Sequence, residues 1–202
     1  MTQATIIVID DHDSVRHSLR ALLESAGFGV KDYPTATAFL ADSHAGGDCL
    51  LVDLRMPEMS GMELQQELNK RVAASPLIMI TGHGEVALAV AAMRAGAFDF
   101  IEKPFDDEML LASIRRALSE SRHSRDKAAE ARTAQELIAH LTGREKQIMA
   151  HLVEGKSNKL IGHELGISPR TVEIHRANLQ EKLQTRDLAG LVRLARAAGH
   201  LH

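Results

Sequence analysis

Five polar side chains stand at one recurring place in this sequence, at or just past the end of a short apolar run: Asp10 and Asp11 after "TIIVI", Asp53 after "CLLV", Thr81 after "PLIMI" and Lys103 shortly after "FDFI". An acid at the exit of a buried strand is costly to ionise without a partner. If the runs are parallel strands of one sheet, their C-terminal ends open onto a single crevice, and three carboxylates, a hydroxyl and an ammonium converge there. Carboxylates so close need a cation, and hard oxygen ligands with room for waters suit Mg²⁺. The lysine and the hydroxyl then hold an anionic group brought to Asp53, the layout expected for a carboxylate nucleophile attacking phosphorus. Taken singly these residues mean less. A lone Asp at a strand end commonly caps a helix, and Asp11 or Asp13 can cap one beginning near Ser14. Their joint placement at one edge is what carries the argument. Pro104 follows Lys103, and its fixed turn can aim the ammonium inward.

The elements that must do this positioning are visible as alternating patterns up to about residue 120. Short apolar runs are followed by amphipathic segments: "TIIVI" then Ser14 to Ala26, "FGVKDY" then Thr35 to Asp42, "CLLV" then Gly61 to Arg71, "PLIMI" then Glu85 to Ala95, and "FDFI" then Asp106 onward. Five strand-then-helix units predict an α/β fold with a five-stranded, doubly wound parallel sheet. Gly27 and Gly96 stand where helix C-termini need a left-handed residue. Residues 121–136, "SRHSRDKAAEARTAQE", are polar, rich in helix formers and without a large apolar side chain, so a helical linker is expected. The resulting division is 1–121, a linker over 122–136, and a small all-α part over 137–202.

Charge supports two parts with different partners. Residues 1–123 hold 11 Lys and Arg against 18 Asp and Glu, whereas residues 137–202 hold ten against six, so an acidic first part precedes a basic second one. No apolar run is long enough to span a membrane, and "MTQATIIVIDD" lacks the basic region and cleavage site of a signal peptide, so a cytoplasmic location is expected. The single Cys49 has no internal disulfide partner and reads as a small apolar strand residue.

"IDDHDS", "LLVDLRMPEMSG", "MITGHGE" and "FIEKPF" together resemble the receiver domain of bacterial two-component response regulators, a flavodoxin-like fold, over about residues 4–120. The resemblance implies that Asp53 is the phosphoacceptor, that Asp10, Asp11 and Asp53 bind Mg²⁺ with the main-chain carbonyl of Arg55, that Thr81 contacts the phosphoryl group and that Lys103 pairs with it. It also makes Phe100 a switch aromatic; the residues alone read it as plain core. Arg55 and Gly82 occupy positions that tune phosphoryl lifetime in that family.

The tail has its own pattern. Thr142 and Glu145 form a T-x-x-E capping box opening a helix to about Glu154, with Gly155 behind it. A helix from Ser157 to Leu165 stops at Gly166, and the next opens with Ser168 as N-cap and Pro169 in its first turn. A short helix, a tight turn with Gly and a longer polar-faced helix form a helix-turn-helix pattern, whose second helix enters the major groove. Val172, Leu179 and Leu183 are expected in the core, and Asp187 to Ala198 supplies a fourth helix. "LTGREKQIMAHLVEGKSNKLIGHELGISPRTVEIHRANLQEKL" resembles the LuxR and NarL type of DNA-binding domain, and with the receiver motifs the pairing is nearest the FixJ subgroup. Candidate DNA contacts are Lys156, Asn158, Lys159, Ser168, Arg170 and Thr171, and further along the helix Glu173, Ile174, His175, Arg176 and Ala177. Lys156, Lys159 and Arg170 lie at helix N-termini where cations and free donors meet phosphates; Glu173, Ile174, Arg176 and Ala177 lie where base edges are in reach. The histidines at 140, 151, 163 and 175 share no ligand spacing with Cys or acids, which argues against zinc.

The resemblance therefore implies a transcription factor, dimeric when phosphorylated, whose partners are a sensor histidine kinase, double-stranded DNA and RNA polymerase. It accepts a phosphoryl group without being a turnover enzyme. A phosphohydrolase forming an aspartyl phosphate generally shows D-x-D at the nucleophile, and this chain has Asp53-Leu54-Arg55. A pure docking module has no use for a basic tail.

Overall fold

The computed structural model describes residues 3–43, 45–70, 75–82 and 86–199. The chain divides into two compact units, Met1–Arg122 and His123–His202. In the first, the apolar runs form β1 (Thr5–Ile9), β2 (Gly29–Tyr33), β3 (Cys49–Asp53), β4 (Leu77–Thr81) and β5 (Asp99–Glu102). They pair in parallel in the order β2-β1-β3-β4-β5. Between them run α1 (Asp13–Ser25), α2 (Ala36–Ala41), α3 (Gly61–Asn69) and α4 (Val86–Arg94), and α5 (Asp107–Ala139) follows β5.

Side-chain alternation along each strand divides the apolar residues between two cores. Ile7, Ile9, Leu50 and Val52 meet Phe39 of α2, Leu64 and Leu68 of α3 and Ala92 of α4 on one face. Ile6, Val8, Leu51, Ile78 and Ile80 meet Leu19 and Leu23 of α1 and Leu110 and Ile114 of α5 on the other. Burial on both faces is why these strands read as unbroken apolar runs. The order reverses between β1 and β3, and at such a switch point the loops part and leave a crevice beyond the strand ends. Cys49 is wholly buried, and that burial pushes its thiol up to about 12, so it stays protonated and inert.

The five strand-then-helix units are present as expected, with ends differing by a residue or two. The expected helix end at Arg71 and helix start at Glu85 lie outside the described residues, as do His83 and Gly84. Gly27 and Gly96 adopt φ of +86° and +97° behind α1 and α4. The start of α1 corrects the sequence reading: its N-cap is His12, not Asp11 or Asp13, and the imidazole makes no capping hydrogen bond. Asp13 is already inside the helix, paired with Arg16, and the His12 N–H turns back onto Asp10 Oδ1 at 2.9 Å.

The second unit holds the end of α5 with α6 (Gly143–Val153), α7 (Asn158–Leu165), α8 (Pro169–Lys182) and α9 (Leu188–Ala197). The helix α5 continues without a break through residues 122–136. Ala134, inside that segment, is buried with Ile138, Leu141, Ile148 and Leu179. Thr142 and Glu145 form the expected capping box at α6. Lys182 Nζ also donates to Glu145 Oε2 at 2.8 Å, tying the end of α8 to the start of α6.

That Lys182 hydrogen bond, with those from Thr142, holds the Glu145 carboxyl below its ordinary 4.5. A depressed folded pKa stabilises above the unfolded value and is lost as pH falls through the folded one. Glu145→Gln is therefore expected to cost about 1 kcal/mol at pH 7, discounted for the partly exposed Lys182, and little at pH 3. Thermal unfolding followed by circular dichroism at both pH values checks this; equal losses would mean that the charge contributes nothing.

Candidate functional site

The crevice lies beyond the β1, β3, β4 and β5 ends. Asp10 and Asp53 are buried there, and Lys103 Nζ bridges them, 2.7 Å from Asp10 Oδ2 and 2.7 Å from Asp53 Oδ1. The remaining Asp53 oxygen, Oδ2, accepts the Arg55 N–H at 2.7 Å, and Thr81 is buried at the end of the neighbouring strand. Lys103 reaches this point because its own N–H bonds to the Thr81 carbonyl at 2.7 Å, continuing the ladder past β5; the Lys103–Pro104 peptide is cis.

Electrostatics follow from the burial. Desolvation raises the Asp53 carboxyl above its ordinary 3.8, although the Lys103 ammonium and the Arg55 N–H pull the other way. Burial alone lowers Lys103, but its hydrogen bonds to Asp10 and Asp53 outweigh this and leave it raised above 10.5. The ammonium is thus held charged between two buried acids. Asp11 lies at the rim, and the donor atoms of Asp10, Asp11 and His12 all fall within 4.8 Å of one another. The two carboxylates, with an Asp11 Oδ1 that is buried and accepts no hydrogen bond, make a donor set that fits a divalent cation. Phe100 is half-buried against the core of the α2, α3 and α4 face.

In the second unit α7, the Gly166 turn and α8 form the helix-turn-helix. Ser168 caps α8, its Oγ accepting the Thr171 N–H at 3.1 Å, and Val172, Leu179 and Leu183 are buried as expected. Lys159, Arg170, Glu173, Ile174 and Ala177 are exposed, and His175 and Arg176 are half-buried. Several of the candidates are engaged within the unit. Lys156 Nζ pairs with Glu164 at 2.7 Å and Glu154 at 3.0 Å, and Arg176 donates to Asn158 Oδ1 at 3.0 Å. The last contact bridges α7 and α8.

Several positioning residues escaped the sequence reading. Arg16 donates to the Asp10 carbonyl at 2.7 Å and so braces the β1 exit from α1. Ser60 and Glu63 form a capping box at α3, for which the S-x-x-E signal was present. Two glycines matter through close approach, which no local signal reveals. A Cβ on Gly61 would lie 2.6 Å from the Asp53 carbonyl oxygen, and one on Gly162 would lie 2.7 Å from that of Ile167. Side chains there force apart the β3–α3 loop and the helix-turn-helix turn.

Known proteins share both halves. Residues 6–115 match the response regulator receiver domain, and residues 139–195 match the luxR family of bacterial regulatory proteins. The transcriptional regulatory protein FixJ of Azorhizobium caulinodans is 48% identical over 194 residues, which cover 95% of this chain and 92% of that protein. FixJ of Bradyrhizobium diazoefficiens is 45% identical over 203 residues, covering 100% and 98%. The solved response regulator StyR has a TM-score of 0.82 at 41% identity, over 96% of this chain and 99% of its own. Full-length FixJ from B. japonicum has a TM-score of 0.62 at 44% identity over the whole of both chains. With both halves matched and relatives of this similarity along nearly its full length, the chain belongs to the two-component response regulators of the FixJ and NarL type, transcription regulators that join a receiver domain to a LuxR-type DNA-binding domain.

Proposed function

We propose that phosphorylation of Asp53 switches this regulator, with the phosphoryl group donated by a partner sensor histidine kinase. The observation that carries the reading is the Lys103 bridge: a buried carboxylate, a second acid and a fixed ammonium meet within 2.7 Å contacts at one strand edge. An Asp53 carboxylate oxygen attacks phosphorus, the bond to the donor nitrogen breaks, and its electron pair leaves with the donor. Asp10, Asp11, Asp53 and the Arg55 carbonyl would hold Mg²⁺, which when bound neutralises charge on the phosphoryl oxygens. Lys103 pairs with the new dianion, Thr81 contacts it, and Phe100 turns inward as the threonine moves. The protein stores this group rather than turning over a substrate, and it works in the cytoplasm.

Switching promotes dimerisation near α4 and β5. Val86, Val90 and Met93, a stripe along α4, are 79%, 44% and 47% exposed, an apolar surface suited to a second copy. The dimer presents two helix-turn-helix units to paired half-sites and to RNA polymerase. Incubation with acetyl phosphate and Mg²⁺, followed by peptide mass spectrometry and sedimentation, tests both steps. A base-labile phosphate on Asp53 and a shift toward dimers are expected; phosphate elsewhere, or an unchanged mass distribution, overturns the corresponding step.

The two kinds of DNA contact are expected to fail differently. Lys159→Ala removes an exposed cation at the α7 N-terminus and weakens binding to all duplexes alike, flattening the salt dependence by roughly one unit of slope. Arg176→Ala costs about 1–3 kcal/mol on the preferred site and little on scrambled DNA. Titrations of both duplexes at several salt concentrations decide it. A uniform loss for Arg176→Ala assigns that residue to the phosphates or to the Asn158 brace instead.

A further inference from the structure

His12 stands at the mouth of the acidic crevice with its Nδ1 2.9 Å from Asp11 Oδ1 and 3.5 Å from Asp10 Oδ1. Neighbouring donors around a six-coordinate ion with bonds of about 2.1 Å are about 3.0 Å apart, so the three donors, all within 4.8 Å of one another, are close enough to close on one ion. Two further observations single out the imidazole. It occupies the N-cap of α1, where Ser, Thr, Asp or Asn is favoured, yet makes no capping bond and faces the two acids instead. Its ring is 67% exposed, so packing does not account for it either. Beside it, Asp11 Oδ1 is buried and accepts no hydrogen bond, although it lies 2.9 Å from the imidazole Nδ1.

We propose that His12 is a further side-chain ligand of this pocket, beside Asp10, Asp11 and Asp53, and moves its preference from Mg²⁺ toward Ni²⁺, Co²⁺ and Zn²⁺. The inference rests on reading Asp10 and Asp11 as metal ligands. Mg²⁺ takes oxygen donors and keeps its waters, so a nearby imidazole adds little to its binding. Ions of the later first transition row bind imidazole nitrogen well, and their affinity for such mixed sites rises along the series. Asp10, whose Oδ2 is held by Lys103, offers Oδ1; Asp11 offers Oδ1, which accepts no hydrogen bond; His12 offers Nδ1.

The test is calorimetric titration of Mg²⁺ into the full chain at increasing fixed Ni²⁺. The rise in the apparent Mg²⁺ Kd reports Ni²⁺ at this pocket alone, whatever the other histidines bind. For His12→Ala, the Ni²⁺ needed for a given rise is expected to increase on the order of ten-fold or more, while the Mg²⁺ Kd moves less than about three-fold. Equal competition by Ni²⁺ in wild type and His12→Ala overturns the proposal and leaves His12 a simple ion-pair partner of Asp11. Asp11→Asn is expected to weaken both ions. An unmoved Mg²⁺ Kd in that variant instead overturns the assignment of the pocket itself.

Discussion

Asp53→Asn is expected to take up no phosphoryl group from acetyl phosphate while folding at least as stably as wild type. The amide keeps the shape of the carboxylate, and its oxygen can still accept the Arg55 N–H that bonds Oδ2 at 2.7 Å. What disappears is the anionic nucleophile. The stability half follows from the direction of the Asp53 shift: burial raises its carboxyl above 3.8, so ionisation disfavours the folded state as pH climbs through that range, and the cost is complete at neutral pH. A neutral side chain removes that cost, at the loss of a charge-assisted bond to Lys103. Intact-mass measurement after phosphorylation, with urea unfolding at pH 7, checks both halves. Phosphate retained on the variant would remove Asp53 from its assigned role, and a large loss of stability would show that the Lys103 bond outweighs desolvation.

The second large effect is expected at Lys103→Met, which keeps the apolar stem and deletes only the charge. Asp10 and Asp53 side chains are 3% and 9% exposed, and without the ammonium they face each other as unpaired buried acids. Breaking a fully buried pair costs about 3–5 kcal/mol; with Lys103 itself 22% exposed, about 1–3 kcal/mol is the better expectation at pH 7. The folded Lys103 pKa is raised, so its stabilisation is fully present below 10.5 and lost only as pH rises above that value. Two signatures mark this origin. The deficit shrinks as pH falls, because the raised Asp53 carboxyl takes up a proton and one of the two facing charges is lost, and it shrinks again when millimolar Mg²⁺ supplies the missing positive charge. A deficit independent of both pH and Mg²⁺ would mean that the variant fails through packing, and the electrostatic account of the crevice would fall.

These two residues also mark how far local pattern carries. Strands buried on both faces announce themselves as apolar runs, and a parallel sheet brings their exits to one edge. Asp10, Asp53, Thr81 and Lys103 were therefore legible as a constellation before any coordinates. So were the capping box at Thr142 and Glu145, the left-handed turn at Gly166 and the core stripe Val172, Leu179 and Leu183, because each depends on neighbours within a turn or two of helix. Tertiary structure decided what depends on packing across long loops. Lys103 and Asp10 are 93 positions apart, and the parallel pairing of β1, β3, β4 and β5 brings the ammonium to both carboxylates. The intended phosphate cation Lys156 lies between Glu154 and Glu164, since α6 and α7 bring those acids to the same side of the turn. Gly61 and Gly162 look like ordinary glycines until the Asp53 and Ile167 carbonyls approach to where a Cβ would stand. His12 stands at the N-cap expected of Asp11 or Asp13: Asp13 lies one residue inside the helix, paired with Arg16, and Asp11 faces the crevice, 2.9 Å from the His12 Nδ1.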